Sequence, residues 1–232
     1  MNFQHPILMS ILMATLVLAH PVVVSPVQYL RELAAAKTTE PPSIDGRGDD
    51  PAWQSAVALT VRDKVSDTPI TLKAVYTDKE VFWLVTFPDD APDWEQKTLV
   101  WDARAGRYQT SPKREDSFVF KWAMDADTSD LSIEADQSYR ADIWYWKAAR
   151  TDPAGYADDK LHIYSGVNQA GAKKMLSRSG RTFYLKRSGD SGLAAYELMV
   201  YPSYQADELP KFKARQPNGS RADIRAKGAW RE

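Results

Sequence analysis

Ser117-Phe118-Val119-Phe120-Lys121-Trp122-Ala123-Met124 is the stretch that decides the fold. Phe118, Phe120, Trp122 and Met124 fall on one side at period two, with Val119, Lys121 and Ala123 on the other. Only an extended strand produces that alternation. The same rhythm runs through Asp142 to Ala149, where Trp144, Trp146 and Ala148 alternate with Ile143, Tyr145 and Lys147. Ile70 to Tyr76 and Val81 to Phe87 read as a hairpin around Thr77-Asp78-Lys79-Glu80, the second run being apolar enough for a central strand. Thr182 to Arg187 and Ala194 to Tyr201 are two further strands, separated by turn formers from Ser188 to Gly192. No body window longer than ten residues carries a helical period. Asp50-Pro51-Ala52-Trp53 predicts one helical turn, with Asp at the cap and Pro at the first position. Arg31 to Lys37 reads as a short helical or linker stretch. The expected fold is an all-β antiparallel sandwich with short helical insertions.

Composition narrows the function classes. The 232 residues are 44% hydrophobic and 26% charged, which is ordinary for a folded domain. The net charge of -1 argues against a nucleic-acid binder, which needs a basic surface. There is no cysteine, so disulfides, thiolate metal sites and covalently attached haem are excluded together. Eight Trp point to aromatic packing, a ligand surface, or both.

The first 30 residues hold no Asp, Glu, Lys or Arg, and Ile7 to Ala19 is almost uninterruptedly apolar. Residues 1–25 read as a cleaved export signal or an uncleaved N-terminal anchor, the chain's one route to a membrane. Residues 26–40 follow as a linker, and 41–232 as the domain, placed outside the cytoplasm.

Catalytic chemistry is scarce. Histidine occurs at 5, 20 and 162 only, so a multi-histidine metal site is excluded and His162 is the sole imidazole of the domain. No Gly-x-Ser-x-Gly, P-loop or Gly-x-Gly-x-x-Gly is present. The carboxylate pairs Asp49-Asp50, Asp89-Asp90, Glu115-Asp116 and Asp158-Asp159 read as turn caps or solvent-facing groups. Asp89 to Asp93 and Asp125 to Asp127 carry a weak calcium signal without EF-hand spacing. Asn218-Gly219-Ser220 is a glycosylation sequon, meaningful only in a eukaryotic secretory host.

One ordered set of motifs carries a resemblance. It runs from Pro41-Pro42-Ser43-Ile44-Asp45-Gly46 and Asp50-Pro51-Ala52-Trp53 to Leu72 to Asp78 and Phe87-Pro88-Asp89. Arg114-Glu115-Asp116 leading into Phe120-Lys121-Trp122, then Ala141 to Arg150 and Gly155 to Asp159, continue it. Pro217 to Ser220, Ala222 to Ile224 and Trp230 close it. Together these resemble the ethylbenzene dehydrogenase-related haem-binding family. The resemblance implies a periplasmic β-sandwich that passes electrons and is not itself an enzyme. It implies a redox partner, either a molybdenum oxidoreductase subunit or a multihaem cytochrome. Relatives bind haem b through Met and Lys, or haem c through a Cys-X-X-Cys-His that is absent here. Relatives also continue past the position of Glu232, which implies a sandwich short of its last strand or two.

The cofactor expected from the resemblance is non-covalent haem b. Phe120, Trp122, Trp144 and Trp146 would wall it, with Met124 and Lys147 as candidate iron ligands and His162 as a third. Each has a plainer reading. Met124 suits a core filler equally well. Lys147 suits a snorkelling or ion-paired surface lysine. His162, beside Asp158-Asp159-Lys160, suits an exposed strand position. Met175 and Met199 read as packing residues, and Lys211 and Lys213 lie near the place expected for a family lysine ligand. Two further readings stand beside electron transfer through haem: a carbohydrate-binding-like module stacking its ligand on Trp, and a degenerate domain that binds a protein through an unpaired edge.

Overall fold

The computed structural model describes residues 32–63, 66–189, 194, 196–202, 204 and 206–215. The export segment, the sequon at Asn218 and the tripeptide Asp190 to Gly192 lie outside the described residues. In chain order the strands are β1 Ala36–Lys37, β2 Leu59–Arg62, β3 Pro69–Tyr76, β4 Val81–Thr86, β5 Leu99–Asp102, β6 Arg107–Thr110 and β7 Ser117–Ala123. They continue with β8 Tyr139–Lys147, β9 Asp158–Ser165, β10 Lys173–Leu176, β11 Thr182–Gly189, β12 Tyr196–Leu198, β13 Glu208–Leu209 and β14 Phe212–Ala214. Among the described residues strand makes up 41% and helix 5%, with no helix of seven residues or more, which is an all-β sandwich of several antiparallel sheets. Among the described residues no helix is long and apolar enough to cross a membrane.

The largest sheet has the order β10-β11-β9-β8-β7, antiparallel throughout. Its register places Tyr139 opposite Tyr164, Ala141 opposite His162, and Tyr145 opposite Asp158. Period two then divides the side chains between two faces. On one face Tyr139, Ala141, Ile143, Tyr164, Phe183 and Leu185 form the main apolar core, with Ala135 from the preceding loop. The Tyr164 ring stacks between Tyr139 at 5.0 Å and Phe183 at 4.7 Å. Its hydroxyl donates to the Ala135 carbonyl at 3.0 Å, so the buried polar tip has a partner.

The opposite face carries Phe118, Phe120 and Trp122 of β7, paired in register with Trp146, Trp144 and Asp142 of β8. It meets the second sheet through Trp83 of β4, whose ring lies 5.3 Å from Phe120 and 5.0 Å from Trp122. That sheet centres on β3, flanked by β4 on one edge and by β2 and then β1 on the other. A three-stranded sheet, β13-β5-β6, and the ribbon β12-β14 complete the described strands.

The predicted hairpin is β3–β4, closed by the Thr77 N–H donating to the Glu80 carbonyl at 2.9 Å. The predicted helical turn is a 3-10 turn over Pro51–Ser55 that buries Trp53. Arg31 to Lys37 departs from expectation. Its last two residues are strand β1, parallel to Val75 and Tyr76, with the Thr38 N–H donating to the Tyr76 carbonyl at 2.9 Å. The open edge of β3 beyond β2 offers backbone partners that a short isolated helix lacks, and tertiary pairing overrides local propensity.

Leu185, 2% exposed at the centre of the main core, should be costly to truncate. Leu185→Ala is expected to lower the unfolding free energy by about 2–5 kcal/mol in urea titration. Leu176→Ala, at a side chain 61% exposed on β10, should change it by less than about 0.5 kcal/mol.

Candidate functional site

The aromatic face of the large sheet is built from three strands. Phe120 and Trp122 stack at 5.3 Å, Phe118 meets Phe120 edge-on at 5.0 Å, and Trp144 meets Trp122 edge-on at 5.3 Å. Trp83 closes the group from the facing sheet. These are the bulkiest apolar side chains of the domain, yet Trp83, Phe118, Phe120, Trp122 and Trp144 are all only half-buried. The core on the other face is buried to 6% exposure or less. Two indole N–H groups in the aromatic layer, those of Trp83 and Trp122, are enclosed without a hydrogen-bond partner. An unpaired buried donor costs about 1–3 kcal/mol, so both are poised for an acceptor. Trp144 and Trp146 are already engaged, donating to Asp142 at 3.1 Å and Asp152 at 2.9 Å. Trp146 is 9% exposed and forms a buried cluster with Ala148 and Ala157, on which Phe118 and Trp144 pack.

Met124 follows the last residue of β7 and takes the next position on the aromatic side, opposite Arg140, whose carbonyl accepts its N–H at 3.1 Å. Asp125 fixes the corner. Its carboxylate accepts the Arg140 backbone N–H at 2.9 Å and the guanidinium at 2.7 Å. Met124 is 49% exposed, so the thioether is accessible and the core-filler reading does not hold. Phe120, Trp122, Met124, Trp144 and Trp146 therefore share one sheet face.

Lys147 and His162 do not join them. Lys147 sits opposite Ser117 and projects from the other face, in line with Tyr145 and Ile143. It is 1% exposed, and its ammonium lies 2.5 Å from the Asp158 carboxylate, which also takes Lys160 at 2.7 Å. The rings of Tyr145 and Tyr196 flank the cation at 4.3 and 4.8 Å. Burial pushes the Lys147 pKa down to about 8, with Asp158 pulling the other way. Burial pushes Asp158 up, but the two lysines outweigh it and hold the carboxyl below its usual range. An ammonium has no lone pair to offer iron. Lys147 is thus neither a surface lysine nor a partner of Met124 on one metal, because the sheet stands between them.

The loop after β8 is pinned to the same pair. The Lys147 N–H donates to Thr151 Oγ1 at 2.9 Å, and that hydroxyl returns a bond to the Lys147 carbonyl at 3.1 Å. The Glu115 carboxylate accepts the N–H groups of Ala149 at 2.8 Å and Arg150 at 2.9 Å and pairs with the Arg150 guanidinium. Glu115, Asp158 and Asp159 are buried, which corrects their reading as solvent-facing groups, while Glu115 does cap the turn at Ala149 and Arg150.

His162 is 7% exposed, not the exposed residue its charged neighbours suggested. Burial pushes its pKa down to about 4, helped by Arg187, Lys121 and Lys160, so the imidazole is neutral at pH 7. Met175 packs against the main core. Lys211 donates to Thr110 Oγ1 at 2.9 Å and Lys213 sits opposite Glu197, so neither belongs to the aromatic face. Among the described residues no group of three His, Asp or Glu is placed to hold a metal ion, which removes the calcium reading there.

The buried groups set clear expectations. Asp158→Asn leaves the cations of Lys147 and Lys160 without their shared partner and should cost about 3–5 kcal/mol. For His162 the unfolded ring titrates at 6.5 and the folded ring at about 4, so the unfolded chain takes up the proton first. Stability from this group is present above pH 6.5 and lost as pH falls to about 4. The loss should be about 3 kcal/mol, visible as a steeper acid limb than in His162→Gln when unfolding is followed against pH.

A family model for ethylbenzene dehydrogenase matches residues 50–232. That span includes every residue of the aromatic face, Met124, and the Lys147–Asp158 pair. No curated protein and no solved structure matches the chain. On the extent of the match, the chain belongs to the ethylbenzene dehydrogenase family.

Proposed function

We propose that the chain is a non-catalytic electron-transfer subunit of a multi-subunit oxidoreductase, exported to the periplasm, that holds one non-covalent haem b against the aromatic face. The observation that supports it most is the half-buried aromatic layer: five large rings and two unpaired indole N–H groups beside an accessible thioether. The residues present fit a flat apolar macrocycle with polar substituents at its rim. Phe118, Phe120, Trp122 and Trp144 would offer ring faces and edges to the macrocycle, with Trp83 packed on Phe120 and Trp122 from the facing sheet. The Trp83 and Trp122 N–H groups are donors suited to carboxylate or other acceptor atoms.

Bound haem would supply reversible one-electron chemistry at its iron. The chain's part is to bind, orient and shield. Met124 would hold the iron through its thioether, and the Asp125–Arg140 pairing fixes the chain next to it. Lys147 and His162 serve the other face and are assigned no role as iron ligands. With no cysteine, attachment rests on packing and axial ligation alone. The family reading supports a protein redox partner, a molybdenum oxidoreductase subunit or a multihaem cytochrome, which would carry the catalysis.

Haemin titration of the purified chain should give a saturable Soret band and, on reduction, sharp α and β bands extractable as haem b. Met124→Ala should lose the sharp reduced bands and weaken haemin uptake by at least about tenfold, while Lys147→Arg keeps the spectrum. A folded, colourless protein that takes up no haemin would overturn the proposal and favour an aromatic binding module for another flat ligand.

A further inference from the structure

The face of the large sheet opposite the aromatic layer carries a second group of side chains that the haem reading does not use. Two adjacent rows cross the strands. In one, Lys121 of β7, Ile143 of β8, Lys160 of β9 and Gly189 of β11 stand side by side. In the next, Ala123, Ala141, His162 and Arg187 do so. His162 is thus bordered by three cations and by two alanines, of which Ala141 is fully buried.

The charge on this patch is not balanced from within the described residues. Two carboxylates lie near enough to influence it, and both have other partners. Asp158 is held by Lys147 as well as Lys160. Asp130, which acts on Lys121, is bound by Arg178 at 2.5 Å. Among the described residues no carboxylate forms an ion pair with Lys121 or Arg187. The Lys121 ammonium reaches only the Leu131 carbonyl, at 3.2 Å. Like charges gathered on neighbouring strands repel one another. The floor is a side chain more than nine-tenths buried, His162, whose Nδ1 has no hydrogen-bond partner. Lys160 is half-buried, while Lys121 and Arg187 are exposed at the rim, so the patch opens to solvent.

We infer that His162, Lys121, Lys160 and Arg187 form a binding site for a small oxyanion, a phosphate or carboxylate, on the face of the sheet away from the aromatic slot. The Arg187 guanidinium supplies a planar pair of N–H donors matched to two oxygens. Lys121 and Lys160 add charge from the other strands, and the neutral His162 ring supplies its unpaired nitrogen as a hydrogen-bond donor from below. The anion would compensate the surplus positive charge and lower the repulsion between the rows.

The test uses the full chain, with inorganic phosphate and separately acetate as probes, against chloride at equal ionic strength. His162 can be followed by its ring resonances, assigned by their loss in His162→Gln. Phosphate or acetate should shift them saturably and raise the melting temperature. Arg187→Gln should weaken the apparent affinity by at least about tenfold, and Lys121→Gln should weaken it less. Ring resonances and melting temperatures that are the same in phosphate, acetate and chloride would overturn the proposal. So would an equal response of the wild type and Arg187→Gln. Haemin uptake is read on the opposite face, so this test can fail without the electron-transfer reading failing, and the reverse.

Discussion

The ion pair between Lys147 and Asp158 is the constraint on which the rest of the large sheet depends. Both side chains are almost sealed from solvent, at 1% and 2% exposure, and they sit on neighbouring strands β8 and β9. Removing two charges from water is expensive, and the expense is met only with tight geometry and further partners. Here the partners are Lys160 on the same carboxylate and the Tyr145 and Tyr196 rings around the ammonium. The Thr151 and Glu115 contacts then fix the chain as it leaves β8. Arg150, held by Glu115, lies 5.1 Å from the Tyr196 ring and 5.3 Å from the Phe212 ring, which ties the β12–β14 ribbon to the same corner. A pair of this kind fixes the register of β8 against β9, because a slip of one residue would put Lys147 and Asp158 on opposite faces of the sheet.

Register in turn separates the functions of the two faces. With Lys147 and Asp158 facing one way, Trp144 and Trp146 must face the other, where they join Phe118, Phe120 and Trp122 of β7. The main apolar core and the Lys147–Asp158 pair thereby stay on one face, and the half-buried aromatic layer lies on the other, together with Asp142 and the buried Asp159. The Asp125–Arg140 pairing sets the far end of the β7–β8 ladder, next to the exposed Met124.

Much of this arrangement was legible in the residues themselves. The alternation in Ser117 to Met124 and in Asp142 to Ala149 is strong because large rings mark one face, and both runs are strands with the predicted sides. The shared side of Phe118, Phe120 and Trp122 with Trp144 and Trp146 followed from that same period. What could not be read was where the polar residues of the other face would lie. In β9 the apolar residues Leu161 and Ile163 suggest an inward face, yet His162 and Tyr164 are the more deeply buried pair. The reason is that both faces of this central strand are covered, so hydropathy alternation carries little contrast. The burial of Lys147 was hidden for a related reason: its partner lies eleven residues away on the next strand, and only the register brings the two together. The short strands Leu59–Arg62, Leu99–Asp102 and Arg107–Thr110 were missed because four residues give too few alternations to stand out from loop sequence.

The central claim is that one sheet keeps the Lys147–Asp158 pair on one face and offers the other to a flat cofactor. The most direct measurement is the position of iron, located by anomalous scattering in crystals of the chain grown with haemin. The account predicts a single iron peak on the aromatic side, within bonding distance of the Met124 sulfur and with the macrocycle against Phe120 and Trp122. An iron peak on the opposite face, bound by Lys147 or His162, would contradict it.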